Sequence, residues 1–183
     1  MQKKIMKKII LFASISLASG LLFTNLFTSL VDAKSWGNDI PNSIAAAREY
    51  FKVVDPGVFF RLFSPINQAL GLIVLIVFWK TSPSIRLFLF IALVCYLSAE
   101  AMTFKYFFPR NDIMFRDAAL TDVNLLTKTW SEWNSMNWVR TGILVVGVIF
   151  STLSLHKIYA LVRTTKIPAA TKKHPFSNKV AVS

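Results

Sequence analysis

A few ionisable and amide side chains interrupt stretches of this sequence that are otherwise apolar. Glu100 is the acidic residue among them, and its neighbours at helical spacing, Tyr96 and Thr103, fall on the same face of a helix. A charged group is costly in hydrocarbon, so one placed there marks either a functional site or a structural pair. Because a buried carboxylate can accept a proton from a substrate, Glu100 is the candidate catalytic residue.

Two cations are candidate partners for that carboxylate. They are Arg140 and Lys105, and the pattern does not choose between them. In one interpretation the polar groups form a clasp that fixes the register of packed helices. In a second they form the polar floor of a ligand pocket, and in a third Glu100 contacts a partner protein. The uncharged residues that complete this hydrogen-bonding set are Asn25, Asn67 and Tyr96.

The sequence has no recognisable site for a metal ion or a nucleotide cofactor. Cys95 is the only cysteine, and it lies in an apolar run, as a small buried side chain does. The two histidines, His156 and His174, lie near the C-terminal end. The sequence lacks glycine-rich phosphate loops and the HExxH and GxSxG motifs. We therefore expect neither a metal nor a cofactor.

The composition is that of a membrane protein. Hydrophobic residues make up 54% of the 183 residues, and charged residues make up 16%, whereas a soluble domain carries about 25% charged residues. The mean hydropathy is +0.51, which also argues against disorder. The basic residues flank long apolar runs instead of forming a patch, so we expect no nucleic-acid partner despite the net charge of +12.

Four apolar stretches are long enough to cross a bilayer, since a membrane helix needs about 20 residues. The predicted fold is all-α: an integral membrane four-helix bundle with short amphipathic helices on its outer side. We expect a basic cytoplasmic N-terminus at 1–8, a membrane domain at 9–161, and a basic disordered cytoplasmic tail at 162–183. The predicted spans are residues 9–31, 58–79, 84–108 and 138–161.

The first apolar stretch resembles a signal peptide, but we expect it to be retained as a membrane helix. Its apolar run is longer than the usual signal core, and the candidate cleavage site at residues 31–33 is poor. With four spans, both termini and the loop between the second and third spans lie on one side. These segments carry the whole formal net charge of +12. Basic flanks face the cytoplasm, so we expect a multi-pass protein of the plasma (inner) membrane with cytoplasmic termini and with membrane lipids as partners.

The two loops predicted on the outer side carry amphipathic helices. Residues 44–54 form the first, with a cap at Asn42 or Ser43. The second loop, 109–137, contains a helix that begins near Val123. Its tryptophans belong either to the interfacial aromatic belt or to the mouth of a pocket, and they are Trp130, Trp133 and, at the following span, Trp138.

Two motifs in this region resemble those of one family. Residues 106–114 (YFFPRNDIM) are similar to the P-x-N-(D/x)-x-(L/M) signature that follows the third helix of anthrone-oxygenase-like membrane proteins. Residues 130–141 (WSEWNSMNWVRT) look like the W-x-x-W-(N/x)-x-x-H-x-x-R segment that opens the last helix of that family. The order of the motifs and the four spans agree over residues 9–160.

The resemblance implies an oxygenase that inserts oxygen into an electron-rich anthrone without an evident metal or flavin. Such a reaction needs a base to form a carbanion, which then reacts with O₂. Asn111 and Arg140 match family positions and would hold an oxyanion or an anionic substrate; Asn111 and Asp112 equally suit a cap after Pro109. This chain has Asn137 at the position where the family has His. A mechanism that depends on that His therefore cannot be assigned to this chain.

Two functions therefore stay open, and with them the question whether the protein is an enzyme. The first is an outer-leaflet pocket for a lipophilic aromatic or quinone-like small molecule, with cofactor-independent oxygenase-like activity. The second is a non-enzymatic membrane subunit or lipophile-binding protein whose polar cluster is structural, with an unidentified membrane protein as partner. The predicted substrate-binding residues are Asn25, Asn67, Tyr96, Asn111, Trp133, Asn137 and Arg140.

Overall fold

The computed structural model describes residues 2–117 and 119–164. Within these ranges every regular element is a helix and no strand occurs, which confirms the predicted all-α fold. The predicted disordered tail falls mostly on residues 165–183, which lie outside the described residues.

In the described part of the chain four helices are long and apolar enough to cross a membrane, as predicted. They are Ile5–Trp36, Gly57–Val77, Pro83–Asp117 and Val123–Leu161, and we call them the first to fourth spans. Between the first two lies a short helix, Asn42–Tyr50. By their local geometry the segments are α1 (Gln2–Phe27), α2 (Ala33–Trp36), α3 (Asn42–Tyr50), α4 (Gly57–Val77), α5 (Pro83–Met102), α6 (Phe108–Asp112) and α7 (Val123–Thr164).

Of the four spanning helices, three extend beyond the predicted spans: the first at both ends, the third at its end and the fourth at its start. The fourth helix runs without a break from Val123, where the sequence predicts a separate loop helix, through the predicted span 138–161, because residues 123–137 contain no proline or glycine to end a helix. The third continues past Pro109 to Asp117. A π-helical turn at Thr103–Phe107 precedes that proline, and proline is tolerated where a helix restarts because its missing N–H is not needed there.

The spans form an antiparallel ring in which each helix packs against its neighbours along the chain and the fourth closes on the first. The Lys7 ammonium donates to the carbonyl of Val77 at 3.1 Å, and Lys8 lies over the ring of Tyr159 at 3.9 Å. The start of the first span and the ends of the second and fourth therefore lie together, at what we call the terminal end. The opposite end, the loop end, carries residues 37–56, 109–117 and 119–122.

The apolar core has three clusters along the bundle. The one at the terminal end includes Leu11, Val74 and Leu89. The middle one includes Ala18, Ala92, Tyr96 and Leu144. The one at the loop end is rich in aromatic residues and consists of Ala33, Trp36, Ala47, Phe107, Met114 and Trp133.

The short helix Asn42–Tyr50 covers the loop end of the bundle. It buries Ile44 completely and Ala47 to 9% exposure, so this apolar face packs on the protein. The predicted side-chain cap is not formed. The Ser43 hydroxyl instead donates to the carbonyl of Trp36 at 2.6 Å, and this bond holds the turn between the first span and the short helix.

Candidate functional site

Arg140 is buried between the middle and loop-end clusters with 6% of its surface exposed. Its Nη2 donates to Asn137 Oδ1 at 2.6 Å, and its Nη1 donates to Thr103 Oγ1 at 3.3 Å. The guanidinium carbon lies 4.0 Å from the centre of the Phe107 ring and 5.5 Å from that of Phe60. Neutral hydrogen-bond acceptors and aromatic faces thus surround this cation.

Asn137 and Asn25 tie the first and fourth spans together next to Arg140. The Asn137 amide, which is fully buried, donates from Nδ2 to Ser29 Oγ at 2.6 Å. The Asn25 amide donates to Thr141 Oγ1 at 2.6 Å. Because polar contacts between buried helices fix their register, this part of the site has the features of the predicted structural clasp.

Glu100 and Arg140 do not touch, although the sequence suggests a pair. Among the described residues no carboxylate lies within 4.0 Å of Arg140, and the attraction between Glu100 and Arg140 acts over a longer distance. The Glu100 carboxylate instead interacts with Ser64 of the second span, and both residues line the small cavity. The alternative partner, Lys105, is exposed.

Two neighbouring cavities adjoin Arg140. The large cavity, of about 630 Å³, lies at the loop end. The small cavity, of about 30 Å³, lies deeper among the spans. Arg140, Thr103 and Phe60 line both cavities and form the wall between them. The aromatic side chains around the large cavity are Trp36, Phe51, Phe60, Phe107, Phe108, Phe115 and Trp133.

The residues predicted from sequence divide between these cavities. Asn111, Trp133 and Arg140 line the large one. Asn137 lines neither cavity and holds Arg140 in place. The small one brings together Asn25, Asn67, Tyr96, Glu100 and Arg140.

Trp133 lies inside the protein and is not in an interfacial belt. Its indole Nε1 donates to Asn111 Oδ1 at 2.8 Å, and its ring meets those of Trp36 and Phe107 edge to face, with centroids 5.2 and 5.3 Å apart. Asn111 is therefore fixed by the fourth span. Trp138, in contrast, is 44% exposed on the outer surface of the bundle.

Tyr96 presents its two parts to different places. The ring lines the small cavity, whereas the hydroxyl is 2.9 Å from Ser151 Oγ. The sequence suggests that the Tyr96 hydroxyl completes the hydrogen bonds of Glu100. In the structure it is paired with Ser151 instead.

Sequence reasoning missed several residues of the site. Ser64 lies three residues before Asn67 on the same helical face, and this spacing was a usable signal. The pair of Asp55 with Arg116 at the rim of the large cavity gave no such signal, because these two residues are far apart in the chain. Asp55 Oδ2 is 3.0 Å from Arg61 Nη2 and 3.8 Å from Arg116 Nη2, so it connects the start of the second span to the end of the third.

Within the described residues no three His, Cys, Asp or Glu side chains come together as a metal site would require. The predicted lack of a cofactor stays a prediction.

Comparison with known proteins identifies the family. No curated protein and no solved structure matches the chain. A family model described as anthrone oxygenase matches residues 58–150, which include Glu100, Asn111, Asn137 and Arg140. This match covers half of the chain, with nearly all of the second span, the whole third span and most of the fourth, and the chain therefore belongs to the anthrone oxygenase family.

Proposed function

We propose that the large cavity binds a lipophilic aromatic or quinone-like molecule through an anionic oxygen, and that the protein oxygenates this molecule without a cofactor. The observation that carries the proposal is the state of Arg140. A buried cation is costly unless an anion or several hydrogen bonds compensate it. Arg140 has two neutral acceptors, and no carboxylate of the described residues lies within 4.0 Å of it. A ligand oxygen with negative charge would supply the missing anion.

The walls of the large cavity support an aromatic ligand. Small-molecule sites are commonly apolar clefts of about 300–1,000 Å³ with a few polar groups that fix orientation. The cavity of about 630 Å³ falls in this range. Aromatic rings surround it, and the polar groups Arg140, Asn111 and Thr103 lie on its lining.

The charge pattern supports an orientation in the plasma (inner) membrane. The terminal end carries Lys7, Lys8 and Lys157, all engaged with neighbouring helices. Basic flanks favour the cytoplasmic side. In this orientation the large cavity opens toward the outer leaflet, and a lipophilic ligand reaches it from the bilayer or from the outside.

The reaction that fits the family and the site is the oxidation of an anthrone-type carbon acid. A C–H proton opposite the carbonyl is transferred toward Glu100, and the electron pair moves onto the carbonyl oxygen beside Arg140. The guanidinium stabilises this enolate. The carbanion carbon forms a bond to O₂, the peroxide anion takes the proton back from Glu100, and the resulting hydroperoxide loses water to leave a second carbonyl. One O₂ is consumed and one H₂O is released per substrate.

One observation favours a second candidate, binding without turnover. Asn137 stands where the family motif has His, and it is fully buried and lines neither cavity. If the protein binds its ligand without turnover, it is a lipophile-binding membrane protein or subunit whose polar cluster serves structure and binding only.

Oxygen consumption separates the candidates. The full chain in lipid nanodiscs is given anthrone, and O₂ uptake is compared with the spontaneous oxidation in empty nanodiscs. Oxygenation predicts uptake that Glu100→Gln abolishes while anthrone still binds. Arg110→Gln is the matched control, because Arg110 lies on an aromatic ring at 3.5 Å but pairs with Glu132 and does not line the large cavity. Binding without uptake above background would leave the second candidate, and no binding by the unmodified chain would contradict both.

A further inference from the structure

Three deeply buried polar atoms have no hydrogen-bond partner among the described residues. They are Asn25 Oδ1, Asn67 Oδ1 and Arg140 Nε. The exposed fractions of these side chains are 0%, 2% and 6%. An unpaired buried polar atom costs about 1–3 kcal/mol, and such atoms in folded proteins are usually satisfied by an internal water.

All three side chains line the small cavity. A water molecule needs about 10–15 Å³ of such space and two to four polar partners. The cavity of about 30 Å³ has this room, but it is far too small for an aromatic ring.

The hydrogen-bonding characters of the three atoms match a water molecule. The two amide oxygens accept hydrogen bonds and Nε–H donates one. Water donates two bonds and accepts up to two. We propose that the small cavity is a binding site for an internal water, which donates to Asn25 Oδ1 and Asn67 Oδ1 and accepts from Arg140 Nε. A cation does not fit there, because the Arg140 guanidinium would repel it.

This water also has a role in the reaction, and that role rests on the proposed function. Glu100 lines only the small cavity, whereas the ligand occupies the large one. The wall of Arg140, Thr103 and Phe60 lies between them. Where the two cavities adjoin at Arg140, Thr103 and Phe60, the water accepts the proton from the ligand and, by turning one of its donor bonds, passes one of its own protons to the Glu100 carboxylate in the same step, so that no hydronium ion forms beside Arg140. Water is regenerated, the ligand becomes an enolate and Glu100 becomes neutral. Asn25 and Asn67 are positioning residues for this transfer.

Radiolytic footprinting of the full chain in nanodiscs tests the water site without any ligand. A short X-ray pulse converts bound water to hydroxyl radical, which oxidises adjacent side chains, and mass spectrometry locates the oxidation. Leu21 and Leu144 line the small cavity and are 4% and 7% exposed. Leu89 and Leu75 have the same exposures, 4% and 7%, in the apolar cluster at the terminal end.

The proposal predicts at least about fivefold more oxidation at Leu21 and Leu144 than at their two matched controls. It also predicts that Asn67→Leu, which removes one acceptor and fills space, reduces this oxidation to the control level. Equal oxidation of the four leucines would show a dry cavity and overturn the proposal. Undiminished oxidation in Asn67→Leu would overturn the assignment of the water to these atoms.

Two further variants keep the test decisive. If Asn67→Leu does not fold, Ala99→Val fills the same cavity from the third span and carries the same prediction. Ser154→Ala removes a fully buried hydroxyl elsewhere, which donates to the carbonyl of Ser151, and it should leave the oxidation unchanged. Because no ligand is present, a dry cavity refutes the water site and leaves the proposed ligand site to its own experiment.

Discussion

Asn137 Oδ1 accepts a 2.6 Å hydrogen bond from Arg140 Nη2, one helical turn further along the fourth span. The other end of the same amide donates to Ser29 of the first span. The residue at the family's histidine position therefore serves Arg140 and the packing of two spans. It does not face the large cavity, and this placement sets what substitutions there will do.

Asn137→Ala should destabilise the protein by about 1–3 kcal/mol, because it leaves buried polar groups of Arg140 and Ser29 with one partner fewer. Thermal unfolding of the detergent-solubilised protein measures this as a lower Tm. Asn124→Ala, on the exposed part of the same helix, is the control and should change the Tm little. Equal Tm values for the two variants would show that the Asn137 hydrogen bonds contribute nothing.

Gly147→Ala should displace Tyr96 and lower stability by about 1–3 kcal/mol, as overpacking does. A Cβ at Gly147 would lie 2.6 Å from Cε1 of the Tyr96 ring, inside its contact distance. Gly142→Ala lies on the same helix with nothing within 4 Å of the added carbon. It should be neutral or stabilise by up to about 1 kcal/mol, because alanine favours helix. Thermal unfolding of both variants in the same detergent measures these changes in stability. A lower Tm for Gly142→Ala than for Gly147→Ala would contradict the packing described.

Asp55→Asn should speed the exchange of a hydroxyanthraquinone probe from the large cavity by about two- to tenfold. Asp55 pairs with both Arg61 and Arg116 across the rim. The side chains are partly exposed, so the pairs contribute at most about 1 kcal/mol to stability and the Tm should barely move. Stopped-flow displacement of the probe measures the rate.

The matched control for the rim is Glu132→Gln. Glu132 pairs with Arg110, and neither residue lines the large cavity, so the exchange rate should be unchanged. Raising the salt concentration should speed exchange in the unmodified protein, because exposed ion pairs are screened, and should do so less in Asp55→Asn. Salt dependence of the same size in both would refute a role of Asp55 at the rim.

The sequence alone was sufficient to predict the spans and to identify the polar residues near the middle of the bundle. Apolar length predicts each span, and a polar residue in such a run is conspicuous, which is why Asn25, Asn67, Glu100 and Arg140 could be named. Their pairing could not be predicted, because these residues lie on four different helices and the rotation of each helix decides which side chains meet. Glu100 thus finds Ser64 as partner where the sequence suggests Arg140 or Lys105.

The parts that sequence reasoning missed depend on long-range geometry. The start of the fourth span at Val123 shows that a polar stretch, residues 123–137, continues a membrane helix when no residue breaks it. The link between Asp55 and Arg116 joins segments about sixty residues apart in the chain, and no spacing rule connects them.

The most direct test of the account is the affinity of a hydroxyanthraquinone probe for the unmodified protein, Arg140→Gln and Arg110→Gln, measured by native mass spectrometry in nanodiscs. A charge-assisted hydrogen bond contributes about 1.5–3 kcal/mol, so the account predicts that Arg140→Gln weakens binding by about 10- to 100-fold. Arg140→Lys, which keeps the charge, should retain part of the affinity, and Arg110→Gln should bind like the unmodified chain. Equal affinity in Arg140→Gln, with the fold intact, would contradict the claim that this buried cation holds the ligand.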